Sequence, residues 1–193
     1  MEEFVDKTFD KIKEIHNRFF AQSKDILIKI ASEISTILVG GGKVLLLGNG
    51  GSAADAQHIA AEFINRFKMD RPPLPAIALT TDSSVLTSIS NDYSFDDIFE
   101  KQLMAIASPN DLVWAISTSG NSKNILKALR YATKHNIKTI GFTGGVGGKM
   151  QGLCDYIVNT PSSDTPRIQE VHILAAHIIC ELIDEILFGQ FKK

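Results

Sequence analysis

The stretch from Lys43 to Glu62, KVLLLGNGGSAADAQHIAAE, decides the fold. Lys43 to Leu47 is a short continuous apolar run, the pattern of a strand covered on both faces. Gly48 to Ser52 supplies a small polar turn, and from Ser52 to Phe67 apolar residues return at helical spacing. Strand, glycine loop and helix form the opening half of a parallel crossover, because parallel strands need a long, usually helical, connection. Upstream, Phe4, Val5, Phe9, Ile12, Ile15 and Phe19, then Ile26, Leu27, Ile30, Ile34, Ile37 and Leu38, keep helical spacing with a break near Gln22 and Ser23. Two amphipathic helices over residues 1–40 are therefore expected, stopped by Gly40, Gly41 and Gly42.

Downstream the alternation continues. Arg71, Pro72, Pro73 and Pro75 break the chain before a second apolar run, Ala76 to Leu79, and the loop TTDSS. Ser83 to Ala107 reads as one or two short helices around Asn91, Asp92 and Tyr93. Asp111 to Ile116 is a third buried strand, STSGNS (Ser117 to Ser122) a second hydroxyl-rich loop, and Ser122 to His135 a helix. Lys138 to Phe142 is strand four, Thr143 to Lys149 a glycine-rich turn, and Tyr156 to Val158 a short fifth strand. The last helix spans Pro166 to Phe188, with Asp164 and Thr165 as cap candidates and Pro166 suited to a first helical position. This order predicts a three-layer, doubly wound α/β domain over residues 1–193: a five-stranded parallel sheet flanked by helices, with an N-terminal helical extension.

Composition narrows the function. Twenty Lys and Arg against 22 Asp and Glu leave a net charge of -2, so no overall positive field favours nucleic acid. Cys154 and Cys180 are the only cysteines and form no Cys-x-x-Cys pair, which excludes a disulfide framework and fits a reducing cytoplasm. No segment has the uninterrupted apolar length of a membrane span, and the acidic, amphipathic N-terminus is not a signal peptide.

In open α/β sheets ligands lie at the carboxyl ends of the strands. Two loops there, Gly48 to Ser52 and Ser117 to Ser122, have the make-up of an anion cradle: glycines that let backbone N–H groups approach, hydroxyl donors, and a helix N-terminus. A phosphate is the expected anion. Gly48, Gly50 and Ala53 match the loose dinucleotide pattern, but the acidic residue that should follow about 20 positions on does not close strand two. GGVGGK at 144–149 lacks the first glycine of a triphosphate loop, and Met150 stands where Ser or Thr is needed. His58 and Glu62, four apart, share a helix face and could hold a divalent metal or act as an acid–base couple, although the same spacing lets Glu62 pair with Arg66. On the final helix Gln169, His172 and His177 interrupt apolar sequence, and spacing does not choose between the two histidines.

GNGGSAADAQHIAAE (48–62), ALTTDSSVLTSISNDYSF (78–95), ISTSGNS (116–122) and TPRIQEVHILAAH (165–177) together resemble the phosphoheptose isomerases of the sugar isomerase (SIS) fold. The resemblance implies isomerisation of sedoheptulose 7-phosphate to D-glycero-D-manno-heptose 7-phosphate, the first step toward the ADP-heptose of lipopolysaccharide core and some surface glycans. It implies a cytoplasmic homotetramer with active sites between subunits, the 1–40 helices serving oligomer packing and 41–193 forming the sugar-phosphate-binding core. Carried over by motif, substrate contacts fall on Asn49, Gly50, Gly51, Glu62, Asn91, Asp92, Ser117, Thr118, Ser119, Ser122 and Gln169. Zinc would be held by His58, Glu62, Gln169 and His177, with Glu62 and His177 as the proton-transfer pair and His172 outside catalysis. Neither nucleic acid nor membrane is an expected partner.

A non-catalytic relative on the same fold, a DnaA-binding initiator-associating protein, resembles the chain around INRFKMDRPPLPAIALTTD (64–82). Such a protein lacks the acidic group at position 62 and the histidine at 177, and this chain has both. Gln169 and His177 are eight residues apart, about 12 Å along a continuous helix. One metal is hard to reach from both unless subunits share the site.

Overall fold

The computed structural model describes residues 1–189. The elements are α1 (Glu2–Val39), β1 (Val44–Gly48), α2 (Gly51–Ile64), β2 (Ala76–Ala78), α3 (Ser83–Asp92), α4 (Ile98–Ile106), β3 (Leu112–Ile116), α5 (Lys123–Lys134), β4 (Lys138–Gly144), β5 (Tyr156–Thr160) and α6 (Thr165–Leu187). Short 3-10 turns precede α4 and β5. The five strands are all parallel, in the order β2-β1-β3-β4-β5. The order reverses between β1 and β3, so the loops after these two strands open beside each other, where open α/β sheets bind ligands.

Strand alternation sends side chains to two separate cores. Val44, Leu46, Leu112, Trp114, Ile140 and Phe142 face α1, α2 and α6, whereas Leu45, Leu47, Val113 and Ala115 face α4 and α5. Every residue of β1 and β3 is buried, which is why both strands read as unbroken apolar runs rather than alternating ones.

The fold corrects the reading of the N-terminus: α1 is one continuous 38-residue helix, not two. Glutamine and serine do not break a helix as proline does. Ser23 also continues the inward stripe, buried between Phe19 and Leu27 at four-residue spacing. Smaller differences lie at element ends. α2 stops at Ile64 rather than Phe67, and β5 runs two residues further, to Thr160. Asp164 occupies the N-cap position of α6 without capping it, its carboxylate instead taking a 2.7 Å bond from Lys11 Nζ on α1. That cation holds the Asp164 carboxyl below the usual carboxylate range.

Candidate active site

The first loop turns on Gly50, whose φ of 55° and ψ of -122° suit glycine alone and start α2 directly above the end of β1. The first-turn N–H groups of α2 thus face the space over the sheet. Asn49, half-buried in this loop, exchanges two amide hydrogen bonds with Asn124 at the start of α5, both 2.9 Å. Asn124 is 2% exposed, so this closed amide ring ties the first loop to the second from below.

In the second loop the Ser117 and Ser122 hydroxyls bond each other at 3.1 Å, while Thr118 and Ser119 reach the surface. Gly120 has a φ of +63°, and a Cβ there would lie 2.1 Å from the Gly147 carbonyl oxygen. The 144–148 glycine cluster is a platform beneath this loop. Gly144 N–H donates to the Thr118 carbonyl, Met150 N–H to that of Gly120, and Lys149 N–H to Asn121 Oδ1. Backbone packs on backbone here, and side chains would hold the loop away.

The helical residues converge more tightly. His58 Nε2 lies 3.3 Å from Glu62 Oε1 and 3.0 Å from His177 Nε2, and one ligand atom from each of the three residues falls within 4.8 Å of the others. Glu62 therefore faces the histidines rather than pairing with Arg66. Burial lowers the His177 pKa, and the neighbouring His58 lowers it further against the opposing pull of Glu62. Its imidazole is thus mainly neutral near pH 7. Two histidines and a carboxylate match the donor set of zinc sites that keep an open position for chemistry.

Gln169 sits elsewhere on the same helix. Its amide covers Gly51 so closely that a Cβ on Gly51 would lie 2.3 Å from Gln169 Nε2. α2 and α6 therefore run side by side in the same direction, with Gly51 opposite Gln169 and His58 opposite His177. The two levels are separated by about 12 Å of helix rise. His172 points into the fold instead: 1% exposed, against Phe142, its Nε2 3.1 Å from the Thr143 carbonyl, with burial pushing its pKa down to about 4. Asn91 and Asp92 are exposed at the end of α3 and bond to each other at 2.9 Å. Among the described residues neither bonds to the loops or to the His58, Glu62 and His177 cluster.

Three contributors escaped the sequence reading. Asn124 looked like any polar residue in the first turn of a helix. Phe67 stacks on His177, with ring centroids 5.4 Å apart and an interplanar angle of 29°. Arg71 stood in the proline-rich break, yet its guanidinium binds both α2 and α6. No periodicity marks such residues, since each acts across a distance in sequence.

The SIS domain family matches residues 8–144. A phosphoheptose isomerase of Nitratidesulfovibrio vulgaris is 50% identical over 175 residues, covering 91% of this chain and 84% of the relative. Among solved structures, a phosphoheptose isomerase from Francisella tularensis superposes with a TM-score of 0.92 at 37% identity, covering 95% of this chain and 97% of its own. That of Neisseria gonorrhoeae gives 0.89 at 40% identity, covering 95% and 98%.

Proposed function

The chain belongs to the phosphoheptose isomerase family of SIS-domain proteins, and from that premise we propose how its residues divide the work. The reaction is the isomerisation of sedoheptulose 7-phosphate in heptose biosynthesis, an aldose–ketose interconversion. The observation that carries the assignment of roles is the convergence of His58 and Glu62 on α2 with His177 on α6.

The loops over β1 and β3 bind the substrate. Ser117, Thr118, Ser119 and Ser122, with the N-terminus of α5, take the phosphate, and Asn49, Gly50 and Gly51 line the sugar. The ketose then loses a proton from C1 to give an enediol, and a proton returns to C2, leaving the carbonyl at C1. One group must relay the carbon-bound proton and another must exchange protons between the hydroxyl and carbonyl oxygens. Glu62, an acceptor when ionised, and His177, neutral at pH 7, form that pair. His58, Glu62 and His177, with Gln169 as a further donor, would hold zinc, which when bound supplies Lewis-acid polarisation of the carbonyl.

The two levels on α6 support a site shared between subunits, in which Gln169 of one chain and His177 of another complete one centre and Asn91 and Asp92 join across the interface. The groove between α1 and α6 supports the same assembly: Phe19, Phe20, Leu27, Ile28, Ile178 and Leu182 line about 380 Å³ of apolar space, with Phe20 51% and Ile28 44% exposed. A homotetramer in the cytoplasm is the form proposed, where Cys154 and Cys180 stay free thiols. Among the described residues no helix is long and apolar enough to cross a membrane.

The test is turnover of sedoheptulose 7-phosphate in deuterated water, followed by NMR at C1 and C2. Glu62→Gln and His177→Gln should each lose at least about 100-fold in kcat, the scale of general acid–base catalysis. Parent-like exchange in either variant would remove that residue from the pair. Chelation should lower activity and zinc restore it if the histidine–glutamate cluster is the metal centre.

A further inference from the structure

The segment 65–74, between α2 and β2, lies along one face of α6. Phe67 stacks on His177, Lys68 Nζ reaches Glu181 Oε1 at 2.6 Å, and Arg71 Nε reaches Asp184 Oδ1 at 2.8 Å. Positions 177, 181 and 184 follow the i, i+4, i+7 spacing of one helical stripe. The Lys68 pair is solvent-exposed and contributes little. The Arg71 pair is different, with side chains 3% and 2% exposed.

Arg71 also works backward onto α2. Its Nη2 donates to the Glu62 carbonyl at 2.8 Å and its Nη1 to the Phe63 carbonyl at 2.7 Å, so one rigid guanidinium caps the C-terminal turn of α2 while gripping α6. A planar fork with five donors can hold three such acceptors in fixed directions, which an ammonium cannot. The carbonyl it caps belongs to Glu62 itself. A slip of α2 along α6 would separate Glu62 and His58 from His177, and this contact resists that slip.

We propose that Arg71 is a positioning residue for the isomerase reaction: with Asp184 it locks α2 to α6 in the register that sets Glu62 against His177, and the strap it anchors lays Phe67 on the His177 ring. The inference rests on the assignment of Glu62 and His177 made above.

The test uses the zinc-loaded enzyme and two variants. The paired variant Arg71→Met with Asp184→Leu removes both buried charges, so neither is left uncompensated, but it takes the guanidinium from the Glu62 carbonyl and leaves that of Phe63 to Leu74 N–H alone. Phe67→Leu keeps apolar cover at a half-buried site and removes the ring stack, and is expected to fold whatever the paired variant does. The expected result is a fall in kcat of about 10- to 100-fold for the paired variant and about 5-fold for Phe67→Leu. KM should stay within about threefold, because the phosphate loops are untouched, and zinc affinity in chelator competition should weaken about 10-fold in the paired variant. A purely structural role would lower the melting temperature without this split between kcat and KM. Parent-like kcat in folded paired variant, or in Phe67→Leu if the paired variant does not fold, overturns the inference. If Glu62→Gln and His177→Gln are inactive while the strap variants match the parent, the inference fails alone; if those two remain active, the assignment beneath it fails.

Discussion

Gly51→Ala should separate activity from stability. Gly51 opens α2 with no left-handed backbone angle, so alanine fits its conformation, and inside a helix alanine is favoured over glycine by up to about 1 kcal/mol. The obstacle is Gln169, whose Nε2 would lie 2.3 Å from the new methyl and whose Cδ would lie 3.1 Å away. Non-bonded heavy atoms settle at about 3.5 Å, so the amide must retreat by roughly 1 Å. Gln169 is a flexible side chain and can yield at little cost to the fold. In the substrate- or metal-binding role proposed for Gln169, a displacement of that size is worth about 100-fold in rate. Thermal melting and kcat/KM for sedoheptulose 7-phosphate, measured on the same preparation, should therefore give an unchanged or slightly raised melting temperature and about 100-fold lower activity. Adding Gln169→Ala should make the effect of Gly51→Ala vanish, as expected when two changes act through one group. An active Gly51→Ala enzyme, or an undiminished loss in the Gln169→Ala background, would refute the reasoning.

Two further predictions concern the scaffold. Burial of His172 lowers its pKa from 6.5 to about 4, so the folded state prefers the neutral ring. The resulting stability is fully present above pH 6.5 and is lost as pH falls toward 4, roughly 3 kcal/mol over that window at 1.36 kcal/mol per pH unit. Urea midpoints at fixed protein concentration should show this slope in the parent and not in His172→Phe; equal slopes would mean the histidine is not the group responsible. Gly120→Ala forces a methyl toward the Gly147 carbonyl in a left-handed turn, and should cost about 3 kcal/mol of stability from backbone strain and overpacking. A urea-derived loss below about 0.5 kcal/mol would show that the 144–148 platform yields more easily than its backbone contacts imply.

The contrast between these glycines marks what could be read in the chain. KVLLL, the glycine turn after it and the helix beyond announce themselves because burial on both faces leaves an apolar run, and helix packing leaves a 3.6-residue period. The same local rules located both hydroxyl-rich loops and put His58 and Glu62 on one helix face. They failed at Gln22 and Ser23, where a polar pair looked like a break although Ser23 continues the buried seam of α1. They left the 144–148 glycines without a role, because that role is to let one loop's backbone rest on another's.

Sequence alone determined the α/β alternation, the position of the two glycine- and hydroxyl-rich loops and, through four motifs in order, the family. Helical spacing did not choose between His172 and His177, although the motif resemblance implied His177; the pairing of Asn49 with Asn124 and the grip of Arg71 on two helices were decided only by tertiary structure. Helical spacing gives the face a side chain occupies but not the neighbour it meets. The parallel packing of α2 on α6 sets His177 against His58 and Glu62, whereas His172, five residues earlier and so on another face of the helix, is buried against Phe142.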